Sequence, residues 1–207
     1  PKDITAQQWE YEPQPCGEKY PSPRFSQEDI GTAVDMLQKA KRPLLYAGGG
    51  VIRADASQQL LRFAELLDCP VCNSLMGLGG FPGNHPLFVS LIGMHGSYEA
   101  DMALSECDLI IAAGARFSDR VAGDRKRFGQ QAEILHLDID RAEVDKNVAV
   151  QHSIVGDLKD ILPALCQGLT QQDHQEWRNR IERGRMEHPD TSSPAPDAPP
   201  QYGHILS

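Results

Sequence analysis

Apolar residues recur along the middle of the chain with two different patterns, and these patterns alternate. Over residues 26–40 they return every three or four positions, which indicates an amphipathic helix. Ser26 and Asp29 have the spacing of a capping box at its start. The next apolar segment, Pro43–Ala47, is unbroken and reads as a short buried strand. The helical positions are Ile30, Ala33, Val34, Leu37 and Ala40.

This alternation of strand and helix continues to about residue 169. After the first strand come three glycines and a helix that ends near Leu67, for which Asp55 or Ser57 is the expected cap. Later helices are expected over residues 97–106 and from the capping residue Asp157 to Leu169. The other strands are expected at residues 71–74, in a segment ending near Ile92, and at residues 108–113, 133–138 and 153–155. Such an order predicts an α/β fold, doubly wound and Rossmann-like, with about six parallel strands.

Three regions follow from this pattern. Residues 26–169 form the predicted doubly wound α/β domain. Residues 1–25 are rich in proline and lack periodicity, so we expect an extended connector. Residues 170–207 are expected to form a polar helix over 172–186 followed by a proline-rich linker.

Composition narrows the class of partner. The chain has 207 residues and a formal net charge of −9, and its one short basic run is Arg125-Lys-Arg127. A protein that binds the nucleic-acid backbone needs a basic face, so nucleic acid is not an expected partner. Apolar runs such as residues 109–113 are too short to cross a bilayer. The expectation is a cytoplasmic protein that does not enter the membrane.

The five cysteines do not resemble the framework of a small secreted protein. Cys69-Pro-Val-Cys72 has the C-x-x-C spacing, but it follows a helix and leads into a strand, the reverse of the order in a redox motif. We therefore expect buried structural thiols. No metal site is expected, because no second pair of cysteines or histidines has a matching spacing.

Glycine and polar residues follow the predicted strands, where parallel strands would bring them to one edge of the sheet. Glycines allow a ligand to approach the backbone, the Arg116 guanidinium suits a pyrophosphate, and Asp138 suits a ribose hydroxyl. Taken singly, each has an ordinary structural alternative: the glycines could form a plain turn, Asp138 could cap a turn, and Met76 and Met94 could belong to the core. The loops are Gly48-Gly49-Gly50, Ser74-Leu75-Met76-Gly77, Gly93-Met94-His95-Gly96, Gly114-Ala115-Arg116 and Asp138 with its successor.

Together these segments resemble the central domain of acetohydroxyacid (acetolactate) synthase large subunits, which are thiamine-diphosphate enzymes. The resemblance runs from Pro1 to about Leu169. It rests on Arg42-Pro-Leu-Leu-Tyr-Ala-Gly-Gly-Gly-Val51, Ser74-Leu-Met-Gly-Leu-Gly-Gly-Phe-Pro82, His85-Pro-Leu87, Gly93-Met-His-Gly96, Cys107-Asp-Leu-Ile110, Gly114-Ala-Arg-Phe-Ser-Asp-Arg120 and His136-Leu-Asp-Ile-Asp140.

The resemblance implies a structural FAD held by this domain and a role for Arg120 near the active site. Where the family has two acids after the phenylalanine, this chain has Ser118 and Asp119. Thiamine diphosphate and Mg²⁺ are expected to bind through other domains of the full-length enzyme, so the isolated chain is expected to be inactive. The implied FAD-binding residues are Gly48, Gly49, Gly50, Ser74, Leu75, Met76, Gly93, Met94, His95, Gly114, Ala115, Arg116, Asp138, Ile139 and Asp157.

The same resemblance implies that the first and third domains of one polypeptide are the partners of this domain, within a homo-oligomer, and it leaves open a regulatory small subunit. Two alternatives stay open. One is the central domain of another thiamine-dependent carboligase or oxidase, and the other is a nucleotide-binding module without catalysis.

Overall fold

The computed structural model describes residues 24–118, 128–129 and 131–188. Within this part of the chain, strands and helices follow the order that the sequence predicts, with one additional short helix after the first strand. The strands are β1 (Pro43–Ala47), β2 (Val71–Asn73), β3 (Phe88–Leu91), β4 (Leu109–Ala113), β5 (Glu133–Asp138) and β6 (His152–Val155). The helices are α1 (Gln27–Lys39), α2 (Gly49–Arg53), α3 (Ser57–Leu67), α4 (Tyr98–Glu106), α5 (Leu158–Gly168) and α6 (Gln175–Glu187), with short 3₁₀ turns at Leu75–Gly77 and Arg141–Glu143.

The strands form one six-stranded sheet in the order β3-β2-β1-β4-β5-β6. Every neighbouring pair is parallel, which confirms the predicted doubly wound α/β fold. The strand order reverses direction between β1 and β4. In sheets of this kind, ligands gather beyond the carboxyl ends of the strands, near such a reversal.

Helices cover both faces of the sheet, which explains why β1 and β4 are apolar without alternation. All five residues of each of these strands are buried. On one face, Leu45 and Ile111 pack in a core that includes residues of α1, α3 and α5. On the other, Tyr46 and Ile110 pack with residues of α4 and α6.

The helix starts agree with the sequence in two cases and differ in a third. The Ser26 and Asp29 capping box is present at α1, and the Asp157 side chain accepts the Lys159 N–H at α5. Neither Asp55 nor Ser57 caps α3, so that prediction is wrong. Asp55 instead has a positive φ of 52° and pairs with Lys159 at 2.8 Å, which orients its carboxylate toward α5.

The helix α6 is polar in sequence but packs closely on the second face of the sheet. Trp177 is 2% exposed, and its indole N–H donates to the Pro43 carbonyl at 3.0 Å. Ile181 is buried in the same core. At the start of the helix, the backbone N–H of His174 donates to Asp68 at 2.7 Å. The helix therefore covers the amino end of β1.

Candidate functional site at the carboxyl edge of the sheet

The loops after β1 and β4 lie against each other at the point where the strand order reverses. The Gly50 N–H donates to the Gly114 carbonyl at 2.9 Å, and the Gly48 N–H donates to Ala113 at 3.0 Å. The glycine run predicts a turn at Gly48–Gly50, but residues 49 and 50 begin the short helix α2. The two loops therefore form one backbone-bonded unit.

Glycine is required in this unit because the two backbones approach too closely for a side chain. A Cβ at Gly48 would lie 2.2 Å from the Gly114 carbonyl oxygen, and one at Gly50 would lie 2.6 Å from the Gly114 Cα. Gly114 itself has a φ of +56°, which favours glycine. Loop packing thus accounts for Gly48, Gly50 and Gly114, and it uses the N–H groups of Gly48 and Gly50.

The turn after β2 presents two apolar side chains to solvent. Leu75 is 68% exposed and Met76 is 73% exposed. The turn lies close to the first loop, because a Cβ at Gly49 would be 3.0 Å from the Met76 carbonyl oxygen. The alternative that assigns Met76 to the core is therefore wrong.

The loop after β3 has the same character. Met94 is 73% exposed, so it too lies outside the core, and His95 is exposed beside it. Gly93 has a φ of +102°, and its N–H donates to the Asp101 carboxylate in α4 at 3.0 Å. Burial raises the pKa of Asp101, and the hydrogen bond from Gly93 opposes that shift.

At the end of β5, the carboxylate of Asp138 accepts a backbone hydrogen bond and lies near a buried histidine. Its Oδ1 accepts the Asp140 N–H at 3.0 Å. The Nε2 atom of the fully buried His136 lies 3.6 Å from Asp138 Oδ2 and 3.1 Å from the Ala115 carbonyl, so Ala115 is its hydrogen-bond acceptor. Burial raises the pKa of Asp138, but His136 and the N–H groups of residues 139 and 140 together lower it by a larger amount. The net pKa is therefore below the ordinary value.

The other expected ligand residues lie beside these loops in different states. Arg116 and Ile139 are exposed. Asp157 already serves as the cap of α5, and the neighbouring Gly156 N–H donates to the Asp138 carbonyl at 2.9 Å. Arg120 lies outside the described residues.

Two side chains that position loops at this edge are not among the residues expected from the sequence. The Asp101 carboxylate accepts a hydrogen bond from the Gly93 N–H. Asn73 is the last residue of β2, and its side-chain amide donates to the Gly77 carbonyl at 3.0 Å. The available signal for Asn73 is its place directly after the apolar pair Val71 and Cys72. Nothing in the sequence marks Asp101 apart from other acids at helix starts.

Elsewhere, the described residues give weaker indications of a functional site. Cys69 and Cys72 are free and buried, and burial raises the pKa of both thiols, which agrees with the structural interpretation of the C-x-x-C spacing. One open groove lies between α3 and α5, and another lies at the amino edge near Lys41 and Arg180. The described part of the chain contains no metal-binding group of three or more His, Cys, Asp or Glu residues. None of its helices is long and apolar enough to cross a bilayer.

The all-parallel sheet and its single edge of polar and exposed apolar loops define a doubly wound α/β domain. The chain belongs to the family described as thiamine pyrophosphate enzyme, central domain, whose model matches residues 30–165.

The chain is also similar to acetolactate synthase large subunits, which confirms the resemblance inferred from its motifs. It is 42% identical over 190 residues to a probable acetolactate synthase large subunit of Methanocaldococcus jannaschii, a match of 87% of this chain and 32% of that protein. It is 40% identical over 206 residues to acetolactate synthase isozyme 1 large subunit of Escherichia coli K12, a match of 99% of this chain and 36% of that protein. The chain thus spans about a third of the length of these relatives.

Proposed function

We propose that this chain is the central domain of an acetolactate synthase and that it binds FAD across the carboxyl edge of its sheet. The whole protein would join the two-carbon unit from pyruvate to a second 2-oxoacid in branched-chain amino-acid biosynthesis. The named relatives support the enzyme class. This domain would contribute binding and architecture, together with the first and third domains of the polypeptide, within a homo-oligomer.

The observation that carries the FAD site is the apolar surface formed by Leu75, Met76 and Met94. All three are more than two-thirds exposed, although they lie on loops after two adjacent strands. Exposed apolar groups concentrated in this way mark a surface that a ligand or another domain covers. An aromatic flavin ring has the chemistry to cover it.

The polar groups beside this surface fit the rest of an FAD molecule. The exposed Arg116 guanidinium has donors in a fork that matches the oxygens of a pyrophosphate. The Asp138 carboxylate has a lowered pKa, so it is charged at neutral pH and can accept a hydrogen bond from a ribose hydroxyl. The glycine unit at Gly48, Gly50 and Gly114 fits less directly, because its backbones already contact each other.

In this proposal the flavin has a structural role, since carboligation involves no net oxidation or reduction. Leu75 and Met76 would exclude water from the ring, Arg116 would bind the phosphates, and Asp138 would orient the ribose. Thiamine diphosphate, which supplies the carbanion chemistry, and Mg²⁺ would bind through other domains. Arg120, in the family-like segment, would approach that active site.

Calorimetric titration of FAD into the 207-residue chain tests the proposal. A charge-assisted hydrogen bond contributes about 1.5 to 3 kcal/mol, so Arg116→Ala should weaken FAD binding by roughly tenfold or more. Arg62→Ala is the matched control, because Arg62 lines the groove between α3 and α5. The isolated domain should bind FAD weakly, since neighbouring domains would complete the enclosure of the ring.

Two results would contradict the proposal. If the wild-type chain binds no FAD at high concentration, the isolated domain does not hold the cofactor. If Arg116→Ala and wild type bind FAD equally, Arg116 does not contact the phosphates.

A further inference from the structure

The turn that presents Leu75 and Met76 is hydrogen-bonded to the end of β2 by one fully buried side chain. Asn73 is 0% exposed at the end of β2. Its Nδ2 donates to the Gly77 carbonyl at 3.0 Å, which closes the turn from its last residue to the strand. The backbone adds two further bonds to this turn: the Ser74 N–H donates to the Ala47 carbonyl at 2.9 Å, and the Gly77 N–H donates to the Ser74 carbonyl at 2.9 Å.

Asn73 is poorly suited to a role in stability alone. Its Oδ1 is buried and has no hydrogen-bond partner among the described residues. A buried, unpaired acceptor opposes folding, and an apolar side chain of similar shape avoids that cost. The Gly77 carbonyl does not depend on Asn73 for a partner, because the Gly80 N–H also donates to it at 2.9 Å. An apolar replacement would therefore leave no new unpaired group.

The contact does control the position of the turn. A Cβ at Gly77 would lie 2.3 Å from the Ala47 carbonyl oxygen, so the backbone of the turn packs closely on the end of β1. From this position it holds Leu75 and Met76 outward, at the edge where Gly49 is close to the Met76 backbone. A small rotation of the turn would move both apolar side chains relative to the other loops.

We infer that Asn73 is a positioning residue for the candidate flavin site, in which it holds the Ser74–Gly77 turn so that Leu75 and Met76 meet the ligand. This inference rests on the proposed function. Without the Asn73 bond, the turn occupies its binding-competent position for a smaller fraction of the time. The apparent dissociation constant then rises in inverse proportion to that fraction.

The test uses FAD and the full 207-residue chain, with Asn73→Leu as the main variant. We expect the thermal midpoint to stay equal to or above that of wild type, because the unpaired oxygen is removed. The dissociation constant for FAD should rise about fivefold to tenfold, the change that corresponds to one net hydrogen bond. Visible circular dichroism of the bound flavin should also change, since the apolar groups around the ring shift.

Two further variants keep the test decisive. Asn73→Ala adds no volume and replaces Asn73→Leu if the larger side chain prevents folding. Gln59→Leu is the matched control, because Gln59 also has a buried side-chain oxygen without a described partner but lies in α3 beside α5. Its FAD affinity should equal that of wild type.

The outcomes separate this inference from the proposed function. If wild type binds no FAD, the proposed function and this inference both fail. If wild type binds FAD and the Asn73 variants have the same dissociation constant, the flavin site stands and the positioning role is wrong. A weaker affinity of Asn73→Leu matched by a lower thermal midpoint assigns Asn73 a purely structural role and also overturns the inference.

Discussion

Replacing Trp177 with alanine should remove a large part of the stability of this domain. The side chain is 2% exposed and packs in the core between α6 and the sheet, with its N–H bonded to Pro43. Truncation of a buried tryptophan to alanine costs about 3 to 5 kcal/mol. Domains unfold with a total of about 5 to 15 kcal/mol, so the variant should be marginal at room temperature.

Urea unfolding followed by far-ultraviolet circular dichroism measures this effect. With a slope of about 2 kcal/mol per molar urea, the midpoint should fall by roughly 2 M. Fluorescence is less suitable, because the chain has two tryptophans and the substitution removes one of them. Trp177→Phe is the control, since it keeps most of the apolar volume and loses the hydrogen bond, at a cost of about 1 to 2 kcal/mol.

A midpoint for Trp177→Ala equal to that of wild type would refute the reasoning. It would mean that α6 does not unfold with the sheet, and that the contact with Pro43 contributes nothing to the cooperative unit. A loss as large for Trp177→Phe as for Trp177→Ala would also contradict it, because the hydrogen bond and not burial would then be the main term.

Three other outcomes are expected. Gly48→Ala should lower the free energy of unfolding by at least about 1 to 3 kcal/mol, because the new Cβ would clash with the Gly114 backbone. Gly31→Ala is the control in the same denaturation assay, and it should be neutral or stabilising because no atom lies within 4 Å of the new Cβ. The pKa of Asp138 is lowered in the folded state, so the charged carboxylate stabilises the fold above its unfolded-state pKa of about 3.9, and this contribution is lost as the pH falls below that value. The stability of Asp138→Asn should therefore fall less steeply with acid than that of wild type in a pH-dependent denaturation series. The chain alone should form no acetolactate from pyruvate, thiamine diphosphate and Mg²⁺ in a colorimetric assay, and measurable turnover would contradict the assignment of thiamine binding to other domains.

The fold was predictable because the strongest local signals agree with the tertiary arrangement. The unbroken apolar run at Pro43–Ala47 is a strand buried on both faces, and the Ser26 capping box starts a helix where the spacing places it. The error at Asp55 has a physical cause. An acid near a helix start is a cap only if the backbone directs it at the helix N–H groups, and a left-handed φ directs Asp55 to Lys159 instead.

The candidate site was harder to derive, because its residues come from loops that are far apart in sequence. Met76 and Met94 look like core residues from their chemistry alone, but each lies on a loop after a strand and is 73% exposed. The partner of Asn73 is four residues away, but its burial depends on the whole sheet. Propensity describes the local chain, whereas exposure at this edge depends on which strands are neighbours.

The contact between the loops after β1 and β4 also determines how a ligand can lie on this domain. In doubly wound sheets, ligands usually occupy a crevice where the strand order reverses. Here that crevice is closed by the hydrogen bond from Gly50 to Gly114 and by backbone atoms too close for any side chain. In the proposed site, FAD would therefore pass over the closed loops and contact groups on both sides of them. Met94 after β3 and Ile139 after β5 are four strand spacings apart, which is about 19 Å at roughly 4.8 Å per spacing. To contact both residues, the proposed FAD would have to lie extended across the edge of the sheet.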